Sequence, residues 1–92
     1  MKIETVEDFR IALDAGAYMW PGGYPVFFIA SDGMALSFKA AEENRAEIED
    51  ALERHDPSGG WLMAGATANM EDDNLHCAHT DEKIECAYPQ TV

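Results

Sequence analysis

Ninety-two residues are enough for one small domain, and an apolar share of 47% is enough for a core and too much for wholesale disorder. Eighteen acids against six Lys and Arg give a net charge of −12, which rules out the usual nucleic-acid binder with its basic face and disfavours docking on anionic lipid. The longest unbroken apolar stretch, Val26 to Ala30, is far short of the about 20 residues of a membrane-spanning helix, and no basic segment precedes an apolar one in the manner of a secretory signal.

Met1 to Ile3 is too short to assign. Thr5 is placed as an N-cap with Asp8 three residues on, close to a capping box. Val6, Phe9 and Leu13 then share one face at helical spacing and Gly16 supplies a stop, so a helix is predicted over 5–15. Tyr18 to Tyr24 reads as a loop, because Pro21-Gly22-Gly23 continues neither a helix nor a regular strand. Pro25 to Ala30 is β-branched and aromatic, Ser31-Asp32-Gly33 is a turn, and Met34 to Ser37 returns, which makes a hairpin.

From Phe38 to Arg54 strong helix formers predict one long helix. Phe38, Ala41, Ile48 and Leu52 fall on one stripe, and Glu42, Glu43, Glu47, Glu49, Asp50 and Glu53 fall on the opposite arc. His55 to Gly60 ends it, and Trp61 to Ala68, rich in small residues, adds a strand to the hairpin. The segment from about 70 to 92 is expected to be an irregular acidic tail with a short apolar return at Ile84 to Tyr88. The expected fold is α+β, a single domain over 1–92: a small antiparallel sheet with a long amphipathic helix and a short N-terminal helix packed on it.

Charge is unevenly spread. Residues 38–56 hold seven acids and three bases, residues 71–92 hold six acids and one base, and the hairpin over 21–37 carries Asp32 alone. The negative field therefore belongs to the helix and the tail.

Each chemistry-bearing pattern has a plain alternative. His76, Cys77, His79 and Cys86 are the one cluster of candidate metal ligands, yet His76 and Cys77 are neighbours that seldom reach one metal and no second knuckle accompanies them; an ordinary turn with two reduced thiols explains them as well. A disulfide between the cysteines is disfavoured in a reducing compartment. Asp81, Glu82 and Glu85 crowd both thiols, so neither is expected to have a lowered pKa or to act as a nucleophile. Carboxylates on a solvent-facing helix form no pocket for acid–base work, and Glu71-Asp72-Asp73 lacks the frame of a twelve-residue calcium loop. Neither an enzyme nor a cofactor is expected. Trp20 and Tyr24, interleaved with Pro and Gly, suit a binding hot spot, or else they cap the open end of the sheet.

Pro21-Gly22-Gly23-Tyr24-Pro25-Val26-Phe27-Phe28, followed by Ser31-Asp32-Gly33, Ala35-Leu36, Ala41-Glu42-Glu43-Asn44, Cys77-Ala78-His79 and Ile84-Glu85-Cys86-Ala87-Tyr88, resembles a family of small phage and prophage proteins with a zinc-ribbon-like tail. In that family one cysteine pair sits at the hairpin-to-helix junction and another in the tail. The matching positions here are Ser37 and Ala40, and Cys77 and Thr80, so the resemblance implies a retained fold with the metal lost and Cys86 at a non-ligand position. It also implies a mobile-element origin, a bacterial cytoplasmic setting and the company of anti-CRISPR proteins. With the charge, it suggests an inhibitor that offers carboxylates where phosphates would sit, to a host protein with a basic nucleic-acid-binding surface such as a CRISPR effector complex. The residues expected to carry that contact are Glu42, Glu43, Glu47, Asp50, Glu53, Glu71, Asp72 and Asp73, with Trp20 and Tyr24. The alternatives are a phage accessory domain whose charge serves solubility alone, and a divergent zinc-binding module.

Overall fold

A computed structural model describes residues 1–19, 22–72 and 74–87. Helix α1 (Val6–Ala15) begins at a complete capping box: the Thr5 side chain accepts from the Asp8 N–H, and the Asp8 carboxylate accepts from the Thr5 N–H. Two orphan donors of the first turn are thereby satisfied. Gly16, at φ 94°, ends the helix, and its N–H donates to the Leu13 carbonyl.

The predicted Tyr18–Tyr24 loop is corrected at its start. Strand β1 (Tyr18–Met19) pairs antiparallel with the beginning of β2 (Tyr24–Ala30), Tyr18 opposite Pro25 and Met19 opposite Tyr24. Pro25 is tolerated there because the N–H it lacks is supplied next door, where Val26 donates to the Ala17 carbonyl. The Tyr24 ring lies over Gly22, at φ 110°; a Cβ at Gly22 would come within 2.6 Å of the ring, so only glycine fits.

Strand β2 is the hub of the sheet. Strand β3 (Ala35–Ser37) returns from the Ser31–Gly33 turn to pair with it, Phe28 opposite Leu36, and β4 (Met63–Ala68) also pairs with it antiparallel, Phe28 opposite Ala66. The architecture is a small α+β fold on an antiparallel sheet. The N-terminal residues add a further rung beyond β4: Ile3 N–H donates to Ala64 O, and Ala66 N–H donates to Met1 O.

The long helix predicted over 38–54 is two helices, α2 (Phe38–Glu43) and α3 (Arg45–Arg54). Asn44 divides them with φ −112° and ψ 30°. Its backbone N–H and its side-chain Nδ2 both donate to the Ala40 carbonyl, at 3.0 and 2.8 Å, the local back-bonding by which Asn competes with helix continuation. The predicted stripe survives the break, with Ala41, Ile48 and Leu52 buried and Phe38 half-buried. Phe28 is the centre of the core: the Phe9 ring meets it edge-on at 5.4 Å and the Phe38 ring lies 5.8 Å away. Both helical segments therefore cover the Phe28 face of the sheet.

The described residues of the tail form no helix or strand, in keeping with the irregular segment expected, yet they pack back on the sheet. Leu75 to Ile84 folds back on itself, with Ile84 N–H donating to Leu75 O and Cys77 N–H to Glu82 O, and Ala78 N–H donates to Ala35 O on β3. Cys77 and Ile84 are buried as its anchors. Asn69, the one buried polar residue among those described, fastens both ends: its Nδ2 donates to Asp72 O and Glu85 O, its Oδ1 accepts from Asp72 N–H, and its carbonyl accepts from Ala87 N–H.

Candidate functional site

The acidic face is built on α2 and α3. Glu42, Glu43, Glu47, Asp50 and Glu53 are all exposed. Asp50 pairs with Arg54 across one helical turn at 3.2 Å, whereas Glu42, Glu43 and Glu47 form no salt bridge among the described residues. The break at Asn44 places Glu42 and Glu43 on α2 and the other three acids on α3, so the face is carried by two helices.

Glu49 departs from the arc predicted for it. It is half-buried against α1 and takes two guanidinium groups, Arg10 Nη2 at 2.8 Å and Arg45 Nε at 2.6 Å. The hydrogen bond from Arg10, joined by that from Arg45, lowers its pKa to about 2. Glu49 is thus a clamp between the helices, and two of the six bases are spent on it. The remaining outward carboxylates are left less compensated as a result.

The tail brings one second group of acids toward this face. Glu43 shares a cleft of about 270 Å³ with Glu82 and Glu85, between β1, α2 and the tail, and Tyr18 Oη donates to Glu85 Oε1 at 3.0 Å. Lys39 and Lys83 line the same cleft, so its charge is mixed. Glu71 and Asp72 are exposed on the Asn69 turn and do not line it. Tyr24 is half-buried with its ring over Gly22; Trp20, Asp73 and Tyr88 lie outside the described residues.

The candidate ligands of the tail separate. His76 Nδ1 is 2.7 Å from Asn74 O, His79 packs on Trp61 with ring centroids 4.8 Å apart, and Cys86 Sγ lies 3.4 Å from Met70 O. Among the described residues no group of three or more His, Cys, Asp or Glu could hold a metal ion. Both cysteines are free.

Cys77 overturns the expectation of an unactivated thiol. Burial pushes its pKa up, but the Ser37 N–H, the Thr80 hydroxyl and the N–H groups of Thr80 and His79 together lower it to about 7. The Ser37 N–H reaches its Sγ at 3.4 Å, and the Ser37 side chain accepts from Ala40 N–H. The turns at 37–40 and 77–80 therefore do face each other, around one sulfur. Cys77 is 1% exposed and its sulfur is held as an acceptor. The absence of basic side chains near the thiol hid this from the sequence: the groups that stabilise the thiolate are the Ser37 N–H of β3 and, from the tail turn that holds Cys77, the Thr80 hydroxyl and the N–H groups of Thr80 and His79.

No helix among the described residues is long and apolar enough to cross a membrane. Compared with protein-family models, with curated proteins and with solved structures, the chain matches none.

Proposed function

We propose that the chain is a non-catalytic binding protein that uses the exposed carboxylates of α2 and α3 to engage a basic, nucleic-acid-binding surface on a host protein, in the manner of an anti-CRISPR inhibitor in the bacterial cytoplasm. The observation that carries this reading is the state of Glu42, Glu43 and Glu47: exposed, without a salt bridge among the described residues, and on a helix pair whose arginines are already committed to Glu49 and Asp50. Such carboxylates keep their full charge for an incoming Lys or Arg, and a chain of net charge −12 draws a basic partner from a distance with a rate that falls as salt rises. Glu82 and Glu85 extend the negative surface beyond Glu43.

Changing Glu43, Glu47 and Asp50 to Lys takes the net charge from −12 to −6 (three changes of two units) without touching the core. The triple variant is expected to melt within about 0.5 kcal/mol per site of the parent and to lose retention on an immobilised CRISPR effector at low salt, while added salt weakens the parent alike. Equal retention of parent and variant would reduce the carboxylates to a solubilising face and favour the accessory-domain alternative.

A further inference from the structure

The hairpin turn and the loop before β4 enclose a groove that the acidic face does not use. It has a volume of about 170 Å³ and is lined by Asp32, Met34, Gly59, Gly60, Trp61 and His79 over a floor of small and apolar residues. Small-molecule sites run to about 300–1,000 Å³, so this groove holds one side chain rather than a cofactor. Its wall is aromatic, because the Trp61 and His79 rings pack 4.8 Å apart at 60°. Gly59 and Gly60 keep that wall open: a Cβ at Gly59 would press on the indole at 3.3 Å, and Gly60 adopts φ 77°. At the rim, Asp32 accepts from Met34 N–H through Oδ1 alone and forms no salt bridge among the described residues. No Lys or Arg lines the groove.

We infer that this groove is the seat for one arginine side chain of the basic partner, its guanidinium against the Trp61 wall and paired with the Asp32 carboxylate. A planar, weakly hydrated cation suits an aromatic wall beside an uncompensated carboxylate better than a compact ammonium does. Asp32 is the sole charge of the otherwise neutral hairpin and lines the groove, so it offers one localised carboxylate there where α2 and α3 offer a row. The inference rests on the reading of a basic partner, and it adds a point of specificity that a carboxylate row alone does not supply.

The test is an amide and indole NMR titration of the full isotope-labelled chain with hexa-arginine and, separately, hexa-lysine peptides at low salt. Hexa-arginine is expected to shift the Trp61 indole N–H and the Asp32 and Gly60 amides saturably, and hexa-lysine to leave them in place. Asp32→Asn should weaken the apparent affinity at those signals about five-fold while the remaining spectrum stays that of the parent. Shifts confined to α2 and α3 would overturn the groove and leave the carboxylate row standing. Equal shifts with both peptides, or an Asp32→Asn titration like the parent's, would overturn the arginine seat. No saturable shift anywhere would overturn the basic-partner reading beneath it.

Discussion

The two acidic regions of this molecule are held in place by opposite means. The α2–α3 segment is fixed by an apolar stripe and by side-chain ion pairs, with Glu49 drawing Arg10 and Arg45 together. The tail has one base, Lys83, among the acids of residues 71–92, and it is fixed by backbone hydrogen bonds to the sheet, by Asn69 and by the buried Cys77 and Ile84. The helix therefore positions its carboxylates with arginines, whereas the tail relies on main-chain geometry, on the Asn69 amide and, at Glu85, on the Tyr18 hydroxyl. Salt and acid should loosen the first, and loss of a single amide should loosen the second.

The largest effect separating the regions is expected in the helix core. Ile48→Ala, at a fully buried position, should cost about 2–5 kcal/mol of global stability, read by chemical denaturation; a parent-like midpoint would mean that α3 does not seat that face on the sheet. In the tail, Asn69→Ala removes the partners of Asp72 and Glu85 backbone groups and should cost about 1–3 kcal/mol. Hydrogen exchange should show protection lost at Asp72 and Ile84 before it is lost in β2.

The pH dependences divide the regions again. Cys77 ionises near 7 when folded and near 9 when its surroundings are lost. The folded state thus releases the proton first, and stability should rise by order 1–2 kcal/mol from pH 7 to pH 9. The contribution is fully present above the unfolded pKa and is lost as pH falls through 7; Cys77→Ala should flatten that slope whatever it does to the baseline. For Glu49 the window lies lower, between its ordinary 4.5 and about 2. The ion-pair contribution is present above 4.5 and lost as pH falls toward 2, and with Arg10 half exposed solvent screening limits it to about 0.5–1 kcal/mol. Arg10→Ala should remove much of that acid sensitivity and leave the Cys77 slope untouched, which a pair of pH-dependent melting series would resolve.

What was legible in the sequence follows the same division. The capping box at Thr5 and Asp8 and the hairpin around Ser31-Asp32-Gly33 are local patterns and form as read, and the strand read over 61–68 forms as β4 from Met63, two residues later than expected. The bent helix was missed because Asn44 is neutral in a pattern count; its effect comes from a side-chain bond to Ala40 O. Glu49 was missed because the outward arc was drawn too wide: at about 100° per residue it sits on the flank of the apolar stripe, next to the angle of Leu52, and its partner Arg10 lies 39 residues away. The tail was opaque for a related reason: its order depends on Ala78 meeting Ala35 and on Asn69 meeting Ala87, contacts with no periodicity to betray them. Of the candidate site, the carboxylates of α2 and α3 could be named from spacing, but the Asp32–Trp61–His79 groove joins three separate segments and carries no linear signal.

The buried Cys77 sulfur has a further consequence for how the molecule breathes. A thiol with a pKa near neutrality that is buried where the tail is anchored on β3 reacts with a reagent only when that anchor comes away from the sheet. Its labelling rate, set against that of the half-buried Cys86 on the same chain, is a built-in clock for that opening. If the tail detaches as a unit while the sheet stays closed, labelling of Cys77 will outrun global unfolding, and denaturant will accelerate it only weakly, in proportion to the small surface such an opening exposes.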